Sequence, residues 1–175
     1  TVLFEDNEIS GNESGQATFE NAYGDVSIKS NTFSNNKWGQ LSIYRNSGEN
    51  SNILVEGNSI IEGSGNSHSG ISVQRMNSAA EILIQNNTIE TKNTAISAYD
   101  DNNHTYKILG NTIKGSTQNG TGISVSQKAK AIIENNTIEN KQNGIGVNYS
   151  DANGDGSSTI TGNVIKGNSG YGIRV

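Results

Sequence analysis

The chain has 175 residues, a formal charge of −5 and a pI near 5.0, and it contains neither cysteine nor proline. That composition excludes a disulfide framework and a thiolate metal centre, and with no basic stripe it excludes a nucleic-acid surface. Only 31% of the residues are hydrophobic and no apolar run is long enough to cross a bilayer as a helix, so no membrane insertion is expected.

A chain this polar folds only if its few apolar residues are strictly placed. In chain order, an asparagine followed two residues later by an apolar residue recurs as Asn7/Ile9, Asn31/Phe33, Asn58/Ile60, Asn87/Ile89, Asn111/Ile113, Asn136/Ile138 and Asn163/Ile165. The steps between markers are 24, 27, 29, 24, 25 and 27 residues. Upstream of each marker lies a short alternating segment with apolar residues at two inward positions. These pairs read Val2/Phe4, Val26/Ile28, Ile53/Val55, Ile82/Ile84, Tyr106/Ile108, Ala131/Ile133 and Ser158/Ile160, and only Ser158 is polar. Period-two alternation over so few residues predicts strands.

Downstream of the marker comes another strand, usually opened by a small residue. It reads QATF at 16–19, QLSI at 40–43, GISV at 70–73, AISA at 95–98, GISV at 122–125, GIGV at 144–147 and GIRV at 172–175. No helical period occurs. A coil that returns to its own start every 24–29 residues makes parallel strands without a helical crossover. The expected fold is an all-β parallel β-helix of about seven coils, one domain over residues 1–175. The recurring Ile should stack on its own copies. The marker Asn should sit at a bend that tolerates left-handed backbone, its amide bonded to the Asn above and below. The Asn-x-Ser/Thr matches at Asn12, Asn86, Asn103 and Asn135 then follow from an Asn-rich repeat.

The stretches GNTIKGSTQNGTGISV (Gly110–Val125) and NNTIENKQNGIGV (Asn135–Val147) resemble the right-handed parallel β-helix superfamily, with the irregular repeat of mannuronan epimerases, pectate-lyase-like proteins, phage tailspikes and NosD-like proteins. The resemblance spans essentially the whole chain. It implies a right-handed helix, a lyase- or epimerase-like action on acidic polysaccharide, and an extracellular, cell-surface or virion setting. Tyr99 and His104 keep the tyrosine-to-histidine spacing of the epimerase motif Tyr-Gly-Phe-Asp-Pro-His, with Asn102 standing where that motif has Asp.

Outward positions decide function. The downstream strand exposes Thr18, Ser42, Ser72, Ser97, Ser124, Gly146 and Arg174, a flat polar face; no regular threonine array is expected. The segment leaving that strand carries Tyr44, Arg45, Gln74, Arg75, Tyr99, Asp100, Asp101, His104, Lys128 and Tyr149. Lyase or epimerase chemistry needs a cation to neutralise the uronate carboxylate, a base at the adjacent carbon and an acid for the leaving oxygen. Tyr99, His104, Asp101, Arg75 and Lys128 are the catalytic candidates; Tyr44, Arg45, Gln74, Asp100 and Tyr149 are the substrate-binding candidates, through ring stacking and ion pairing. A polar loop contacting only solvent reads the same way. His68 reads as a loop histidine, and Trp38 as a core-end shield or a stacking platform. DANGDG at 151–156 opens like a calcium loop, with Asp151, Asn153 and Asp155 as candidate Ca2+ ligands, but Gly162 stands where the twelfth-position Glu belongs. No other cofactor is expected.

Neither end shows a cap and Thr1 stands where an initiator Met would, so a segment of a longer rod is expected, with adjoining domains or trimeric association. The partner is a polysaccharide if the module is carbohydrate-active or carbohydrate-binding. The alternative is a noncatalytic structural rod or stalk of a surface or phage fibre protein. Enzyme status is left open.

Overall fold

The structure, a computed structural model, describes residues 1–13, 17–37, 39–47, 51–62, 68–79, 81–149 and 157–175. It is built from three parallel sheets of seven strands each. Sheet A takes the strands upstream of the marker Asn, from Val2–Glu5 to Ser158–Thr161; sheet B takes the three-residue strands after it, from Glu8–Ser10 to Val164–Lys166. Sheet C takes the downstream strands, from Ala17–Glu20 to Ile173–Arg174. Each strand pairs with its counterparts in the neighbouring coils, so seven strands per sheet stack through about six turns. The all-β parallel solenoid expected from the repeat is the fold observed.

The register puts like on like. Val26, Ile53, Ile82, Tyr106 and Ala131 form one inward column of sheet A, and Ile28, Val55, Ile84, Ile108 and Ile133 the other. The repeated apolar residue of sheet B stacks as Phe33, Ile60, Ile89, Ile113 and Ile138, all at most 1% exposed. A core one coil wide forms because each Ile meets its own copy about 4.8 Å along the axis. The bulky Tyr106 sits level with small neighbours: Ala131 follows it in its own column, and Ala98 stands in sheet C of the preceding coil. The polar Ser158 of the last sheet A strand is accommodated by accepting a hydrogen bond from the Ala131 amide, 3.0 Å.

The marker asparagines form an unbroken ladder. From Asn7 to Asn136, each backbone N–H and each Nδ2 donates to Oδ1 of the next marker, through Asn163, at 2.8–3.0 Å. The second Nδ2 hydrogen of Asn58, Asn87, Asn111 and Asn136 goes to the carbonyls of Ile28, Val55, Ile84 and Ile108. The left-handed backbone is not on the marker, as the sequence suggested, but one residue earlier. Asp6, Ser30, Gly57, Asn86, Gly110, Asn135 and Gly162 have φ between 53° and 65°. The Asn itself stays out of the left-handed region while its amide joins the ladder, and the preceding residue makes the reversal. That is why Gly, Asn, Asp or Ser precedes it.

The small residue opening sheet C has a steric cause. A Cβ at Gly144 would lie 2.3 Å from the Gly172 carbonyl oxygen and 2.5 Å from Ile165 Cγ2; one at Gly122 would lie 2.5 Å from Ile138 Cγ2. At Gly70 the nearest atoms are 3.0 Å and 3.1 Å away, and Ala95 already occupies the equivalent place. Gly122→Ala and Gly144→Ala should each lower unfolding stability by about 1–3 kcal/mol in urea titrations. Gly70→Ala should stay within about 1 kcal/mol of wild type, because lost chain entropy in the unfolded state offsets a mild contact. Equal losses at all three positions would show that packing at this corner is not the cause.

Candidate functional site

Sheet C presents its outward residues in strict register: Thr18, Ser42, Ser72, Ser97, Ser124, Gly146 and Arg174 form one column. A second outward column, nearer the corner into sheet A, runs Glu20, Tyr44, Gln74, Tyr99, Ser126 and Asn148. The residues just before sheet C form a wall on the opposite side. Two cavities lie along this face. One of about 430 Å³ is lined by Ser42, His68, Ser69, Ser72, Gln74, Asn93, Thr94 and Gly120. The other, about 330 Å³, is lined by Thr121, Ser124, Asn143, Gly146, Val147, Asn148, Arg174 and Val175. In the outward column Ser97 stands between Ser72, which lines the first cavity, and Ser124, which lines the second, so the two follow each other along the solenoid axis as a trough.

His68, which reads as a loop histidine in the sequence, and Asn93 belong to this wall. Counting back from the small residue that opens sheet C puts His68, Asn93 and Gly120 in one column and Ser69, Thr94 and Thr121 in the next. That count was available without the structure. Against the expectation of no regular threonine array, Thr32, Ser59, Thr88, Thr112 and Thr137 stack on the outer face of sheet B, between Glu8 and Val164 at the two ends of the column. The neighbouring outward column there carries Glu90, Lys114, Glu139 and Lys166, with Lys166 paired to Glu139 at 2.9 Å, so that face is charged.

On the rim of the trough, Tyr44, Arg45, Gln74, Arg75, Tyr99 and Asp101 come together. Arg75 donates to the Tyr44 hydroxyl at 3.1 Å, lies 5.2 Å from the Tyr99 ring centroid and pairs with Asp101 at 3.5 Å. Hydrogen bonding to Tyr99, then to Tyr44, holds its pKa above the ordinary guanidinium range. The Arg45 guanidinium sits over the Tyr44 ring, 4.7 Å from its centroid. Both arginines have left-handed backbone, φ 53° and 50°, which is uncommon and strained for a residue with a long side chain. The reversal swings these side chains outward at a position whose strand parity points inward.

Asp100 and Tyr149 share that inward parity and lack the reversal, and they go the other way. Asp100 is fully buried. Its carboxylate accepts from the Asn102 amide at 2.9 Å and the Tyr106 hydroxyl at 3.1 Å, and meets His104 Nδ1 at 2.6 Å. Burial, then the Asp100 charge, raises the Tyr106 pKa well above its ordinary value. Asp100 therefore holds His104 from behind instead of lying on the face with Tyr44 and Gln74. Tyr149 pairs in register with Gln127, packs against the core and hydrogen-bonds Ser158, so it is not in line with Tyr44 and Tyr99. Lys128 lies at the same corner one coil beyond Asp100, its amide donating to the Asp100 carbonyl at 2.8 Å. Trp38 and the candidate calcium ligands Asp151, Asn153 and Asp155 lie outside the described residues.

What the arrangement can do chemically follows. Tyrosine faces and a hydroxyl- and amide-lined floor suit the alternating apolar and polar surfaces of sugar rings. A histidine whose Nδ1 is fixed by a buried carboxylate suits proton transfer at Nε2. No curated protein and no solved structure matches the chain. A family described as the right handed beta helix region matches residues 48–175, well over half of the sequence. With that match and the three stacked parallel sheets, the chain belongs to the right-handed β-helix family.

Proposed function

We propose that the protein is a carbohydrate-binding β-helix module whose ligand, a polysaccharide chain, lies along sheet C. The observation that carries this reading is the cavity walled by His68 and Asn93 and floored by Ser42 and Ser72, beside the outward column that holds Tyr44, Gln74 and Tyr99. Such a groove repeats its chemistry at each coil, about every 4.8 Å, as a polymer repeats its own. An extracellular or cell-surface setting goes with this reading.

A panel of soluble glycans in affinity electrophoresis tests it. Arg75→Gly releases the Tyr44 hydroxyl and the Tyr99 ring that Arg75 holds, so it should weaken binding without lowering stability, since glycine relieves about 1 kcal/mol of left-handed strain and so offsets the lost Tyr44 hydrogen bond. Ser97→Trp should block the trough floor. A protein that no glycan retards is a structural rod instead.

The second reading is an enzyme, and it has its own observation: the His104–Asp100–Tyr106 chain. In that reading Asp100 fixes the imidazole, His104 moves the proton, and Arg75 and Lys128 neutralise a substrate carboxylate. Product formation followed by ultraviolet absorbance or by NMR, and lost in His104→Ala and Tyr99→Phe, would establish it. Intact binding with no turnover on any glycan would leave the binding module.

A further inference from the structure

We infer that the trough along sheet C takes an uncharged glycan, rich in hydroxyls and free of carboxylates. This rests on the reading of sheet C as a glycan-binding face. Among the described residues no lysine, arginine or carboxylate lines the larger cavity, which is floored by Ser42 and Ser72 and walled by His68, Asn93 and Thr94, His68 being its one titratable side chain. Among the described residues the smaller one has one cation, Arg174, whose guanidinium lies 5.6 Å from the Tyr171 ring centroid.

A polyuronate brings one carboxylate per sugar, and each one taken out of water needs a charge-assisted donor. Along this trough nearly every coil would leave one uncompensated. The rim arginines do not fill the gap. Arg75 is already paired with Asp101 at 3.5 Å, Arg45 rests on Tyr44, and neither lines a cavity. The net charge of −5 adds long-range repulsion of a polyanion.

Neutral sugars present hydroxyls that both donate and accept. Serine and threonine hydroxyls and the amides of Gln74, Asn93, Asn143 and Asn148 do the same. An extended β-linked hexopyranose chain advances by about one strand spacing per sugar, so one coil can serve one residue, with Tyr44 and Tyr99 two coils, roughly 10 Å, apart along the rim.

The test is affinity electrophoresis of the protein, Ser97→Trp and Ser97→Arg at pH 8. The probes are a soluble neutral β-glucan, a neutral glucomannan, polygalacturonate and alginate, each at low and high salt. The expected result is retardation of wild type by a neutral polymer, insensitive to salt and abolished in Ser97→Trp. The polyuronates should gain affinity only in Ser97→Arg. Salt-sensitive retardation of wild type by a polyuronate alone, abolished in Ser97→Trp, would overturn the uncharged class and leave the binding face standing. No retardation by any polymer would overturn the binding face, and this inference with it.

Discussion

Asn87→Ala should destabilise the protein by about 4 kcal/mol, a large share of the 5–15 kcal/mol that holds an ordinary domain together. Asn87 is fully buried in the middle of the ladder. Its Nδ2 donates to Asn111 Oδ1 and the Val55 carbonyl, both at 3.0 Å, and its Oδ1 accepts from the Asn58 amide and Asn58 Nδ2, both at 2.9 Å. Truncation removes four bonds and strands their partners where water does not reach; each stranded group costs about 1–3 kcal/mol, and not additively. Asn87→Asp should be worse than Ala at neutral pH. It keeps the acceptor but loses both donors, and it turns a carboxylate toward the Val55 carbonyl and Asn111 Oδ1. Asn7→Ala, on the exposed first coil, should cost under about 1 kcal/mol. Urea unfolding of the three variants checks the order. A loss at Asn87 no larger than that at Asn7 would mean that the ladder is decoration on a fold held by its isoleucines.

The isoleucine columns were legible because a solenoid has only local rules. Each coil repeats the same inward parities, so Ile53, Ile82 and Ile133 could be placed by counting from the marker, and the register agrees at every step. The corners were less legible, for a physical reason. In Gly-Asn and Asn-Asn pairs either residue tolerates left-handed backbone, so composition alone does not say which of them reverses the chain.

At the exit of sheet C the same ambiguity decided the site. Arg45, Arg75, Asp100, Gln127 and Tyr149 occupy equivalent places. The left-handed ones turn out of the core and the extended ones stay in. Strand parity alone places Asp100 beside Ala98 on the inner side. A carboxylate nevertheless reads as solvent-seeking, hence outward, until its buried partners, His104 and Tyr106, are known.

Lys141 reads as a solvated turn residue in NKQNG, and it is fully buried. Its Nζ donates to the Thr91 carbonyl at 2.7 Å and to that of Asn93, reaching back two coils. Glu62 grips the same segment from the far side, accepting from Asn93 Nδ2 at 2.8 Å and from the Thr91 hydroxyl and Lys92 amide. Burial lowers the Lys141 pKa to about 8, and the nearby Glu62 charge limits the drop. Between pH 8 and the ordinary lysine value of 10.5 the unfolded chain holds a proton that the folded chain has lost. Stability must therefore rise with pH over that window, by up to about 3 kcal/mol at 1.36 kcal/mol per pH unit. Tyr106 acts in the opposite sense above about pH 10, where the unfolded phenol ionises first, so the curve should crest near there. In Lys141→Met two effects oppose each other at pH 7: relief from a buried charge, and two main-chain carbonyls left without their donor. That variant should lie within about 1 kcal/mol of wild type at pH 7 and fall some 2–3 kcal/mol behind it at pH 10, where the neutral amine keeps both bonds at no cost in charge burial. Chemical denaturation of both proteins from pH 7 to 10 measures the gap, with the exposed lysines cancelling in the difference. A gap that stays constant across the range would place the Lys141 proton in both states alike.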